Sequence, residues 1–349
     1  MNSTDLPRLT VRSPADLIAA VPYLLGFHPA DSVVVVALSG SRVVFAARGD
    51  LPGDLPDDVD PGEAATHIAE VTARQGADSA TVIGYGPASR VTPAVDAVRV
   101  ALPEAGLAVL DALRVTDGRW WSYLCTEPEC CPPEGTRYDP QASTVPAAAV
   151  FAGQVALPDR AALAAQVAPA GGDAMRQATD RAERRLADLL ATAPATDLLG
   201  ARALRAAGAA AIRATRRRHR SGEPLTDDEL AWLCLLLTHL PVRDHAWERT
   251  DGRDDDIAFW AEVLRRAEPA LIAAPGSLLA FAAWRDGQGA LAAVALERVL
   301  AEHPDYSLAG LLDDLLRRGV PPSRLDGWPA GGPPRELRRG RRRSRRRPR

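Results

Sequence analysis

Six consecutive residues, Val33-Val34-Val35-Val36-Ala37-Leu38, constrain this chain more than any other stretch. A continuous, mostly β-branched run of that length, with turn residues on both sides, reads as a buried strand. Upstream, Ser13-Pro14-Ala15-Asp16 reads as a helix start. Ser13 can cap it, Pro14 suits the first helical position, and Asp16 complements the helix dipole. Leu17, Ile18 and Val21 carry that helix towards Leu25, and Pro22 is expected to kink it or end it early. Downstream, Ser39-Gly40-Ser41 is a short turn into a second strand from Arg42 to Arg48, its hairpin partner. Helices predicted over 62–75 and 92–102 then alternate with strands over 80–85, 107–115 and 119–124. That alternation implies a partly parallel sheet with covering helices, and the early hairpin makes the sheet mixed.

After about residue 145 the pattern changes. Strand signals nearly vanish, and Ala/Arg/Leu segments of helical period follow over 173–193, 196–218, 226–239, 255–267, 277–284, 289–301 and 307–317. Thr226-Asp227-Asp228-Glu229 has both partners of a capping box. The expected architecture is therefore an α/β domain over 1–145, an all-α domain over 146–328, and a disordered Arg-rich tail over 329–349. Gly287, Ala292, Leu296 and Pro304 fall at tetratricopeptide-like spacings in one copy only. An ordinary helical hairpin is the alternative.

Composition narrows the function classes. Across 349 residues there are 42 basic side chains, all Arg, against 45 acidic ones. An all-Arg basic set, with abundant Ala, Gly and Pro, points to a GC-rich genome of actinobacterial type. Residues 335–349 hold ten Arg and one Glu. The chain's net charge is −3 and this tail carries +9, so the remainder stands at −12. An acidic body with a basic arm suits polyanion binding, or docking of the tail on its own body. The N-terminus lacks the apolar core of a secretory signal. No apolar stretch is long enough for a membrane span. Four cysteines do not make a disulfide framework in a chain of this length, so a cytoplasmic location is expected.

Several separated motifs agree in order with one family. They are the stretch from Leu9 to Val36, including Gly26-Phe27-His28-Pro29-Ala30-Asp31; Gly118-Arg119-Trp120-Trp121-Ser122-Tyr123-Leu124-Cys125; Cys130-Cys131-Pro132-Pro133-Glu134-Gly135; and Leu279-Ala280-Phe281-Ala282-Ala283-Trp284 with Asp286-Gly287. Together they resemble the actinobacterial family catalogued as domain of unknown function 4192, over roughly residues 9 to 320. The resemblance implies architecture and lineage, and no activity.

The candidate ligand-binding residues gather at predicted strand ends. On an extended strand side chains alternate, so Arg119, Trp121 and Tyr123 share one face, and Trp120, Ser122 and Leu124 the other. One Trp is then expected in the core. Cys125, Cys130 and Cys131 follow at C-x4-C-C spacing, which fits neither the usual zinc pairs nor the redox C-x-x-C. Three readings stay open: a rigid turn with half-buried thiols, which the spacing favours; a small disulfide; and a metal site. No metal and no cofactor are expected. Arg48 and Asp50 close the second strand, where α/β sheets often bind ligands, or they form a local ion pair. Arg216-Arg217-Arg218-His219-Arg220 reads as a solvated helix end. In the tail, Arg338, Arg339, Arg341, Arg342, Arg343, Arg345, Arg346 and Arg347 are the nucleic-acid-binding candidates, acting through counterion release.

No nucleophile elbow, P-loop or metalloprotease signature occurs. The sequence favours a non-catalytic cytosolic interaction or regulatory protein with a protein partner and no membrane. Its rivals are an enzyme or small-ligand domain with its site near the Cys cluster, and a nucleic-acid-associated protein working through the tail.

Overall fold

The computed structural model describes residues 11–51, 53, 60–139, 142–194, 196–197 and 200–325. The expected Arg-rich tail and its candidate residues therefore lie outside the described residues. The first helix, α1, spans Pro14–Leu25, and the Ser13 side chain caps it by accepting from the Asp16 amide. Pro22 does not end it. Proline removes the hydrogen bond to the Ile18 carbonyl, but burial of Leu17, Ile18, Val21 and Pro22 holds the last turn in place. Gly26, in the left-handed region at φ 82°, stops the helix.

Strand β1, Ser32–Ser39, turns into β2, Arg42–Asp50, as an antiparallel hairpin. Helix α2, Pro61–Ala73, leads to β3, Ser79–Tyr85, which lies antiparallel to β1 on its other side. Helix α3, Ala88–Glu104, is a crossover to β4, Ala108–Thr116, the parallel neighbour of β3. A two-residue turn with Asp117 at φ 51° and Gly118 at φ 67° then reverses the chain into β5, Arg119–Ser122. Positive φ at both positions is the hairpin geometry that matches strand twist. A short β6, Thr136–Arg137, pairs with β5. The sheet order is β2-β1-β3-β4-β5-β6. It is mixed, as expected.

Alternation explains why β1 is apolar at every position. Val33 and Val35 pack with Ala65 and Ala69 of α2 and Val91 and Val95 of α3. Val34 and Val36 pack with Leu17, Ile18 and Val21 of α1 on the opposite face. A strand covered on both sides needs no polar face, and each buried Val contributes about 1.5–3 kcal/mol relative to exposure.

From residue 144 on, the regular elements among the described residues are helices. The helices are α4, Thr144–Phe151; α5, Arg160–Ala165; α6, Asp173–Ala191; α7, Ala201–Arg220; α8, Asp227–Leu237; α9, Leu240–Trp247; α10, Asp254–Arg266; α11, Ala273–Asp286; α12, Gly289–Glu302; and α13, Ser307–Arg317. Helix α8 starts from the anticipated capping box and is buried along its whole length from Leu230 to Leu237. A helix apolar all round belongs at the centre of its core. Phe259 and Trp260 of α10, Leu278 and Leu279 of α11 and Leu296 of α12 join it in one cluster. Helices α11 and α12 form a hairpin with Gly287 at the turn and Ala292 and Leu296 in the core. Its tetratricopeptide likeness is not confirmed. Helices α4, α5 and α9 escape the periodicity because each is eight residues or fewer.

Arg216 departs from the expected solvated helix end. It is buried and forms an ion pair with buried Asp256 of α10. Two further members of that cluster face acids: His219 Nδ1 stands 3.2 Å from Glu262 Oε2, and Arg218 lies 3.4 Å from Glu229.

Hydrogen bonds join the N-terminal α/β region to the helices that follow. The His28 amide donates to the Leu157 carbonyl at 2.9 Å, and the Leu157 amide to the Gly26 carbonyl at 2.8 Å. Side chains of α2 and of the two residues after it reach carbonyls at the end of α13. His67 Nε2 meets that of Arg317 at 2.9 Å, Arg74 Nη1 donates to that of Arg318 at 3.1 Å, and Gln75 Nε2 donates to that of Gly319. Those carbonyls have no partner inside their helix, so the contacts satisfy a helix end.

Candidate thiol site at the sheet rim

The chain between β5 and β6, residues 123–135, is held to the sheet by side chains of β5. Ser122 Oγ accepts from the amides of Leu124 and Cys125, each at 3.1 Å, and donates to Asp111 Oδ1 of β4 at 2.7 Å. Arg119 Nη1 donates to the carbonyls of Glu134 at 3.2 Å and Gly135 at 2.7 Å. Trp121 Nε1 donates to the Pro133 carbonyl at 3.0 Å. The Trp121 ring lies under the Arg114 guanidinium, its cross-strand neighbour, 3.8 Å from the ring centroid. It also lies against Gly135, whose φ of +81° and lack of a Cβ are both required, since a Cβ there would overlap the ring.

The alternation expected for β5 is observed. Trp120 is buried with Val115 and Leu113 on the α1 face. Trp121 and Tyr123 lie on the other, where Tyr123 Oη meets Thr92 Oγ1 of α3 at 2.7 Å. The polar groups of Arg119 and Trp121 are thus engaged by the loop itself. Arg48 and Asp50 are placed elsewhere: they pair with each other at 2.6 Å on β2, with β1, β3 and β4 between them and β5. The structure does not bring them together with the cysteines.

Within the anchored loop, the amides of Cys130 and Cys131 both donate to the Glu127 carbonyl, at 3.1 and 2.7 Å. This tight turn folds the chain back on Cys125. The sulfurs of Cys125, Cys130 and Cys131 lie within 4.8 Å of one another, and all three are free thiols. Cys130 is exposed and the other two half-buried. The Cys125 thiol is held below its ordinary value, first by a hydrogen bond from Cys131 and then by one from the Glu127 amide. Cys131 is pushed up to about 12, by desolvation first and by its sulfur neighbours second.

Ser122, Asp111 and Gly135 carry this loop and were not anticipated. The Pro132-Pro133-Glu134-Gly135 turn was the one legible signal for Gly135. Two clefts lie away from the loop. One, of about 540 Å³, is lined by Ile257, Ala261, Arg265 and Leu291 among others. The other lies at the start of α2 beside Asp60, Glu63 and His67.

The family model described as Domain of unknown function (DUF4192) matches residues 14–323. The chain belongs to the DUF4192 family. The match takes in the sheet, the cysteine loop and the helices through α13. No curated protein and no solved structure matches this DUF4192 chain.

Proposed function

We propose that this chain is a non-catalytic regulatory protein whose responsive element is the cysteine loop. One observation carries the reading: three free thiols converge on a loop whose backbone is fixed by Arg119, Trp121 and Ser122. A change in the state of the sulfurs acts on that loop, and through Ser122 and Asp111 on the edge of the sheet. Such sites belong in a reducing compartment, which supports a cytosolic location. The partner is a protein. Helix α4 leaves Phe151 88% exposed, with Val150 and Val155 exposed beside it in sequence, and exposed apolar patches mark interaction surfaces. The Arg-rich tail adds affinity for nucleic acids that weakens as salt rises.

The test is affinity capture from the native cytosol with two baits, the wild type and a variant carrying Ser at 125, 130 and 131. The expected result is a protein retained by one bait and lost from the other. Identical captured sets would overturn the regulatory role of the loop.

A further inference from the structure

We infer that Cys125, Cys130 and Cys131 form a three-thiolate site for a thiophilic closed-shell metal ion, zinc foremost, with a fourth position open to solvent. The inference rests on the reading of the loop as the responsive element and gives that element its ligand. Three sulfurs bound at about 2.3 Å to one tetrahedral zinc stand roughly 3.8 Å apart. The observed sulfurs, within 4.8 Å of one another, need only small rotamer adjustments to close on an ion.

The C-x4-C-C spacing differs from the common zinc knuckle, in which one short turn presents two cysteines separated by two to four residues. Here a single turn around the Glu127 carbonyl gathers the adjacent Cys130 and Cys131, and the Ser122 hydroxyl presents Cys125 to them. A disulfide would use two of these sulfurs and leave the third unengaged; an ion uses all three. Soft thiolate ligands select zinc and similar ions over magnesium or calcium. The site also has the outer support that metal sites use. Ser122 and Asp111 fix the Cys125 backbone, and Arg119 and Trp121 fix the return of the loop. Exposure of Cys130 leaves one side of the cluster open. Three protein ligands leave one position of a tetrahedral ion open, so the fourth ligand is water or a donor atom from a partner. Binding converts three thiols into thiolates and releases up to three protons to solvent.

The experiment uses the full chain, reduced and stripped by chelator, titrated with Zn²⁺ alone and with Cd²⁺ alone. The expected result is one equivalent bound, proton release on binding, and a near-ultraviolet sulfur-to-cadmium charge-transfer band. Zinc should also protect the three cysteines from alkylation. Cys125→Ser and Cys131→Ser should abolish the one-equivalent site, and Cys234→Ala should keep it. Ser122→Ala, which keeps every sulfur, should weaken binding by about 10–100-fold, as loss of an outer-shell partner does. Thermal melts of each variant separate loss of the site from loss of the fold. Free thiols that alkylate readily but give no charge-transfer band at millimolar Cd²⁺ would overturn the metal site and leave the thiol reading standing. A mass two daltons lower on air exposure, with no metal bound, would overturn it in favour of a disulfide. Thiols that neither bind metal nor alter partner capture would remove both readings.

Discussion

Cysteine meets opposite surroundings in the two halves of this molecule. Cys234 sits on α8 among Leu233, Leu235 and Leu236, 1% exposed, and burial pushes its thiol up to about 12. It packs as a small apolar side chain and is chemically quiet. Cys125, Cys130 and Cys131 lie at a sheet rim on a loop held by hydrogen bonds, where only Cys131 packs against the apolar cluster around Trp120. Helical packing stabilises one region; side-chain-to-backbone bonds shape the other. Stability and reactivity therefore reside in different places, and substitutions should separate them.

The largest effect is expected at the buried ion pair. Asp256→Ala leaves Arg216 buried without its partner and should cost about 3–5 kcal/mol in urea unfolding. Alkylation of the rim thiols in the folded protein should not change; faster labelling there would show that the two regions are coupled. Gly135→Ala places a Cβ against Trp121 at positive φ and should cost about 1–3 kcal/mol. It should alter labelling of Cys125, Cys130 and Cys131 and leave Cys234 untouched, which site-resolved mass spectrometry reads directly. Thr226→Ala removes the cap at the start of α8 and should cost about 1 kcal/mol, with no change at the rim.

The smallest effect concerns pH. The Asp16 carboxyl, which joins α1 to the start of α4, is held below its ordinary value by the Ser143 hydroxyl and then by the Arg12 amide. A carboxyl lowered by folding stabilises fully above its unfolded value, about 3.9. That contribution disappears as pH falls through the lowered folded value. Asp16→Asn should therefore reduce the melting temperature slightly at pH 6 and by less at acid pH, as the carboxyl becomes protonated. An equal loss at both would show that the Ser143 contact, and not the charge, matters.

Much of the fold was legible because it follows from periodicity. The run from Val33 to Leu38 specified a buried strand, and the Thr226–Glu229 box marked the start of α8. The face assignment of Trp120 and Trp121 followed from strand alternation alone. The early end allowed for at Pro22 does not occur because tertiary burial overrides a local helix break. Arg216 was misread because its partner, Asp256, is forty residues away in a different helix. The site was legible in its residues and not in its assembly. The cysteines stood out, but their convergence depends on two amides sharing the Glu127 carbonyl and on Ser122 bridging to Asp111. Neither contact has a spacing signature. Arg48 and Asp50 looked like companions of the cysteines because both sets fall at or after strand ends, and strand order put β2 and β5 apart in the sheet.

The most direct test of the central claim is a time course of iodoacetamide labelling at neutral pH on the folded, chelator-treated protein, read cysteine by cysteine. The account predicts rapid labelling at the rim, with Cys125 ahead of Cys131, and Cys234 protected until the protein unfolds. Labelling of Cys234 at the rate of Cys125, or protection of all four cysteines in the metal-free protein, would contradict it.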